Sequence, residues 1–199
     1  MQSYTFDILD STNDQAKRMI AAGDLSADAY LVAREQTAGR GTKGRAWVSP
    51  RDSGLYMSVV LFNVKATPRS IQRITLVCGV ACAQSLRQRF DIDVRVKPVN
   101  DLILKGGKLG GILTEASYEA GVIQSLIVGV GLNLKPTDLG AVAAPHGPAF
   151  IEPALKSRQA IDRDALAAAL ADAILSIVRS IGDDGASDSP AAWREWMID

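Results

Sequence analysis

Leu102-Ile103-Leu104-Lys105-Gly106-Gly107-Lys108-Leu109, running on to Ser117 and followed by Val122 to Leu132, is the stretch that decides the fold. Apolar runs rich in β-branched residues, broken by a Lys-Gly-Gly turn and a second short connection, read as three successive strands. Strands joined by so few residues pair antiparallel. Upstream, Val94 to Val96 is a short strand, and Lys97-Pro98-Val99-Asn100-Asp101 is a bend in which Pro98 removes a ladder donor. Leu55 to Phe62, Ala29 to Arg34 and Tyr4 to Leu9 complete the strands. Helices are fewer. Asp14 to Ala22 follows a group of N-cap residues, Asp10-Ser11-Thr12-Asn13, and stops at Gly23. Pro68 or Arg69 opens a helix to about Arg89, apolar on most sides in its first half and so predicted to be buried. Asp162 to Ile181 is amphipathic, and Pro190 to Met197 reads as a last short helix. The pattern predicts an α+β fold: a mixed, largely antiparallel β-sheet flanked by helices.

The 199 residues suit a single domain with a proper core, since 47% are hydrophobic. Twenty-two cations balance 22 anions, so a general affinity for nucleic acid or an anionic membrane is not implied. Charge is uneven locally: Arg34 to Arg51 holds five cations and one anion, Glu35. No signal peptide or membrane span is read from the sequence, and the expectation is a cytoplasmic protein. Cys78 and Cys82 lie four apart on one helix and read as reduced core residues. His146, the only histidine, lies in a loop from 135 to 150 rich in Pro, Gly and Ala that reads as mobile, which leaves little support for histidine chemistry.

Four polar clusters interrupt the apolar pattern. The first is Ser11-Thr12-Asn13. The second, Gln36 to Trp47, contains Arg40-Gly41-Thr42-Lys43-Gly44-Arg45, three glycines (with Gly39) among three cations. Such a loop can bring backbone N–H groups and cationic heads to a phosphate or carboxylate. It matches neither a Walker loop nor a dinucleotide turn. The third joins Lys97 to Asp101 with Lys108 to Gly111, and the fourth is Gly129-Val130-Gly131-Leu132-Asn133. Singly, each has a plain explanation: a helix cap, a solvated basic loop, turns, and sites of close strand packing.

In this order they resemble the catalytic domain of the biotin protein ligases, within the biotin/lipoate ligase superfamily. The resemblance rests on Ser11-Thr12-Asn13, Gln36 to Gly41, Gly44 to Pro50, Leu55 to Ser58, Asn100-Asp101, Lys108 to Glu115 and Gly129 to Asn133, and spans roughly residues 3 to 135. It implies that biotin and ATP give biotinyl-5′-AMP and pyrophosphate, with Mg²⁺ on the phosphates. Biotin then passes to a lysine of a biotin carboxyl carrier domain. A carboxylate nucleophile is already ionised at neutral pH, so the first step asks for cations rather than a base. By the same resemblance, Ser11, Thr12, Asn13, Gln36, Gly39, Arg40, Gly41, Lys108 and Gly111 bind biotin. Arg40, Thr42, Lys43, Arg45, Trp47, Asn100, Lys108 and Asn133 hold ATP or the adenylate. Lys108, Arg40, Arg45 and Asp101 are the catalytic candidates.

Three departures from the family pattern matter. Thr42 replaces a further arginine, which implies a weaker hold on the acyl-adenylate. Pro98-Val99 replaces Trp-Pro, removing an aromatic that bears on pocket shape. Only ten residues precede Ser11 and the sequence stops at Asp199, so the expectation is one catalytic domain over 1–199 without a helix-turn-helix or C-terminal β-barrel, and without DNA or membrane partners. Homodimerisation, common among relatives, is left open. The nearest rival reading is a lipoate- or octanoate-handling relative, which the polar Ser11, Thr12 and Gln36 disfavour because they suit a ureido ring. A non-catalytic biotin or acyl-adenylate binder and a nucleic-acid-binding module rank lower.

Overall fold

The computed structural model describes residues 1–65, 70–120, 122–139, 147–156, 160–181 and 193–198. His146 and the tip of its loop lie outside these residues, as do Pro68 and Arg69.

Seven strands form one sheet in the order β1-β2-β3-β7-β6-β5-β4. They are β1 Gln2–Leu9, β2 Ala29–Gln36, β3 Gly54–Phe62, β4 Val94–Lys97, β5 Asp101–Leu104, β6 Gly107–Glu119 and β7 Val122–Asn133. Only β1 and β2 are parallel, joined by a crossover through α1 (Thr12–Ala22); every other neighbour is antiparallel. The α+β mixed sheet expected from the sequence is the observed fold. β7 lies at its centre, which explains why its residues from Leu126 to Val130 are buried on both faces. The Pro98 bend falls between β5 and the edge strand β4, where a missing donor costs little.

Strand alternation sorts the buried residues into two cores. Leu55, Val59, Leu61, Leu126 and Val128 face the larger one, against α2 (Ile71–Phe90) and α3 (Arg163–Ser180). Burial in this core pushes the Cys78 thiol well up and that of Cys82 to about 12, as expected of inert core thiols. Leu31, Val60 and Ile127 face the opposite side, where α1 packs Ala16 and Met19 on them. Both ends of α1 follow the sequence: Ser11 Oγ accepts from Asp14 N–H, and Gly23 takes the left-handed conformation (φ 78°) and closes onto Ile20 and Met19 carbonyls. Of the expected last helix, the described part is helical: Trp193 is α-helical and Arg194–Trp196 is a 3-10 turn, with Trp193 and Trp196 buried beneath Arg73 and Arg87. After it, Ile198 N–H bonds Val96 O (3.0 Å), and the chain takes up a place beside β4.

Candidate active site

α1 covers only part of its face of the sheet. Beyond the helix N-terminus the positions that point the same way are Gly111, Gly129 and Gly131, and the missing side chains leave a cleft of about 470 Å³. Two of these glycines are needed for close approach. A Cβ on Gly129 would lie 2.5 Å from Asn13 Oδ1, and one on Gly131 2.5 Å from Trp47 Nε1. Gly111 is different: a Cβ there would meet only ordinary contacts, the nearest Asn100 O at 3.7 Å, so its bareness serves the cleft and not the packing.

At the α1 end the wall is polar. Gln36 Oε1 accepts from Thr12 N–H (2.8 Å) and Thr12 Oγ1 (3.2 Å), which turns Gln36 Nε2 toward Ser49 Oγ (2.8 Å) and leaves one amide hydrogen over. Ser11 Oγ accepts at the cap, so its own hydrogen can be donated into the cleft. Asn13 is another matter. Its Oδ1 accepts from Ser58 Oγ (2.5 Å), and its Nδ2 serves Glu115 Oε2 (2.8 Å) and Leu113 O (3.4 Å). With its amide so engaged, Asn13 braces α1 against β3 and β6. Ser58 ends one of the matched segments but was given no role from the sequence, although a hydroxyl inside the apolar strand Leu55 to Phe62 was the available signal; it is fully buried, and its Oγ also lies 2.7 Å from Thr12 Oγ1.

The other end is cationic. One residue of β6, Leu109, is extra opposite Leu102/Ile103, and this bulge turns Lys108 onto the same face as Gly111. Lys108 Nζ lies 2.7 Å from Asp101 Oδ1, an ion pair outside good hydrogen-bond angles, and 5.6 Å from the centre of the Trp47 ring. The Lys108 main chain is fixed by Gly147 O, Ala149 N–H and Asn133 Nδ2. Asn133 thus sits behind Lys108 and lines a small recess of about 30 Å³ that opens beside the cleft. Asn100 is on the cleft wall, and its carbonyl binds Ile112 N–H (2.9 Å). Asp101 is the cleft's one carboxylate among the described lining residues, and no cluster of three metal-ligating side chains occurs among the described residues.

Between the ends lies the basic loop, which folds as a small hairpin strap. Arg40 pairs with Ala46, Gly41 N–H bonds Arg45 O (2.7 Å), and Lys43 and Gly44 both take positive φ, 58° and 72°, the handedness of a two-residue hairpin turn. The N–H groups of Gly41, Arg45 and Trp47 are used inside the strap. Arg45 binds Thr42 through O (3.2 Å) and Oγ1 (3.0 Å), and both line the cleft, whereas Lys43 points to solvent. Gly39 is off the cleft wall; a Cβ there would strike Trp47 O at 2.4 Å, so it is a packing residue at the strap's base. Trp47 lies over Gly131 with its Nε1 buried and unpartnered. Arg40 lines the same cleft as Lys108, with its guanidinium bound to Glu115 Oε2 (2.6 Å) and Asp14 Oδ1 (2.8 Å). Pro98 and Val99 do not line the cleft.

A family model, the biotin/lipoate A/B protein ligase family, matches residues 5–133. The chain belongs to the biotin/lipoate A/B protein ligase family. Within it, the bifunctional ligase/repressor BirA of Escherichia coli is 30% identical over 188 residues, 94% of this chain and 57% of that protein. The biotin–[acetyl-CoA-carboxylase] ligase of Paracoccus denitrificans is 35% identical over 142 residues, 67% of this chain and 55% of that protein. The chain therefore spans somewhat more than half the length of these ligases. Among solved structures, a biotin protein ligase from Aquifex aeolicus in complex with biotin and ATP superposes with a TM-score of 0.82 at 23% identity, covering 99% of this chain and 78% of that one, a likeness of fold. No helix among the described residues is long and apolar enough to cross a membrane.

Proposed function

We propose that the chain carries the catalytic machinery of a biotin–protein ligase, joining biotin and ATP into biotinyl-5′-AMP and pyrophosphate and passing biotin to a lysine of a biotin carboxyl carrier domain. The observation that carries this is the layout of the cleft. A hydrogen-bonding wall stands at one end, a lysine at the other, and a glycine floor under Trp47 lies between. That layout fits a long acid with a polar head and a carboxylate tail. The Ser11 hydroxyl and the remaining Gln36 amide hydrogen suit the ureido oxygen, a partner that lipoate and octanoate lack.

The carboxylate then lies near Lys108. One of its oxygens attacks the α-phosphorus of ATP, the bond to the bridging oxygen of pyrophosphate breaks, and a mixed anhydride forms. Lys108 neutralises charge on the phosphoryl oxygens, with Asp101 and the Trp47 ring holding its ammonium in place. Arg45 adds charge from the strap. The nucleotide extends toward Asn133 and the recess beside it. Mg²⁺ would travel with the ATP phosphates. In the second half-reaction the acceptor amine attacks the acyl carbon, AMP leaves, and the amine's proton is released.

The test is pyrophosphate release from Mg·ATP with biotin, lipoate or octanoate in the absence of acceptor. Release with biotin alone, abolished by Lys108→Ala, is expected. Release with lipoate or octanoate but not biotin would overturn the substrate, and none with any acid despite biotin binding would leave a binding protein.

A further inference from the structure

One ion-pair cluster at the α1 end has no part in the chemistry above. Arg40 reaches out of the strap to two carboxylates on different elements, Asp14 of α1 and Glu115 of β6. Lys17 contacts the same two, at 3.4 Å and 2.7 Å, and Asn13 Nδ2 completes the shell around Glu115. The cluster is thus two anions and two cations in alternation. Burial alone would raise the Glu115 carboxyl, but the hydrogen bonds of Lys17 and Asn13 and the charge of Arg40 outweigh it and hold the group ionised. The described hydrogen bonds of the other strap residues from Gly41 to Arg45 close within the hairpin. Glycines at 39, 41 and 44 leave that hairpin little stiffness of its own.

We infer that Asp14 and Glu115 are positioning residues which, acting through Arg40, clasp the strap across the cleft and set how long a bound ligand stays. Neither carboxylate lines the cleft. Their effect is on the strap that carries Thr42 and Arg45 over the ligand. Arg40 itself lines the cleft, so the clasp fixes the cationic residue that links the strap to α1 and β6. The effect on residence rests on the biotinyl-adenylate reading; the clasp itself does not.

Glu115→Gln tests it, since the amide oxygen still accepts from Asn13 while the charge is lost. In ligand-free protein, the amides of Gly41, Arg45 and Trp47 should exchange hydrogen several-fold faster than in the parent. Biotinyl-5′-AMP should dissociate about three- to tenfold faster, with the maximal rate of adenylate formation unchanged. In an Arg40→Ala background the Glu115→Gln change should add nothing to either measurement. Equal acceleration in both backgrounds would mean that Glu115 merely braces Asn13, and would overturn the inference. Unchanged exchange, or slower release of biotinyl-5′-AMP because Glu115 had been competing with the ligand for Arg40, would overturn it as well. The exchange arm reads the clasp even if the ligand proves not to be biotin.

Discussion

Gly131→Ala is the substitution whose outcome the structure constrains most closely. The new Cβ would stand 2.5 Å from Trp47 Nε1, 2.6 Å from Cε2 and 3.0 Å from Cζ2. Contacts of that kind settle at about 3.5 Å or beyond, so the indole must retreat by roughly 1 Å. Gly131 belongs to the central strand β7 and cannot yield, whereas Trp47 sits at the base of a strap and can. Overpacking in a fixed core costs about 1–3 kcal/mol, and a mobile partner puts this site at the lower end, about 1 kcal/mol. For a chain of this size that lowers Tm by about 2–4 °C. The functional cost is larger. The ring moves away from the floor into the space proposed for the ligand, and it takes with it one of the two groups that hold the Lys108 ammonium. A displacement of about 1 Å beside reacting groups can cost about 10²-fold in rate. Pyrophosphate release with biotin should therefore fall ten- to a hundredfold in kcat/KM while the protein stays folded. In a Trp47→Ala background the same glycine change should add little, because the ring it strikes is gone. A Gly131→Ala protein with parental kcat/KM and Tm would refute the reasoning. So would an undiminished effect without Trp47, which would place the clash elsewhere.

Other expectations follow from the same geometry. Ser58→Ala leaves Asn13 Oδ1 without its buried donor and removes the hydroxyl beside Thr12 Oγ1; it should cost about 1–3 kcal/mol in urea unfolding and weaken biotin binding, and a change below about 0.5 kcal/mol would count against the bridge. Thr42→Arg restores a cation on the strap and should slow release of biotinyl-5′-AMP about tenfold, while equal release rates would remove Thr42 as a cause of leakage. The Asp52 carboxyl is held well below its ordinary range, chiefly by hydrogen bonds from Arg34 and further by Arg163, tying β2 and the turn before β3 to the start of α3. A lowered native value means stability fully present above about pH 4 and lost as pH falls through the native value. Asp52→Asn should flatten the fall in stability between about pH 4 and pH 2, leaving a smaller slope from Asp10, itself lowered to about 2 mainly by Arg18. An unchanged acid slope would refute the assignment.

Most of the architecture was legible because it is set by neighbours in sequence. Ser11 and Gly23 mark the ends of α1 through bonds to residues three or four away. The Lys105-Gly106-Gly107 turn and the short connection after Ser117 dictate antiparallel pairing before any partner is known. In the C-terminal segment the described residues are helical, Trp193 in α form and Arg194–Trp196 in a 3-10 turn, and burial of both indoles anchors them. The four polar clusters also proved to be neighbours in space, because β7 carries Gly129 and Gly131 beneath both the start of α1 and Trp47.

What the chain order could not settle is which polar group meets which. Arg40 and Glu115 are 75 residues apart, and Asn13 and Glu115 102 apart; their meeting depends on the register of β6 against β7 and on where the strap crosses. A single extra residue at Leu109 reverses the face that Lys108 would otherwise take. Residue types thus determined by themselves that a sheet with a cation-rich, glycine-floored site would form. Only tertiary structure decided that Asn13 is a brace, that Gly39 packs the strap's base, and that Arg40 pairs with Asp14 and Glu115 while Lys108 pairs with Asp101, because hydrogen bonds and ion pairs act over about 3–4 Å in space whatever the distance along the chain.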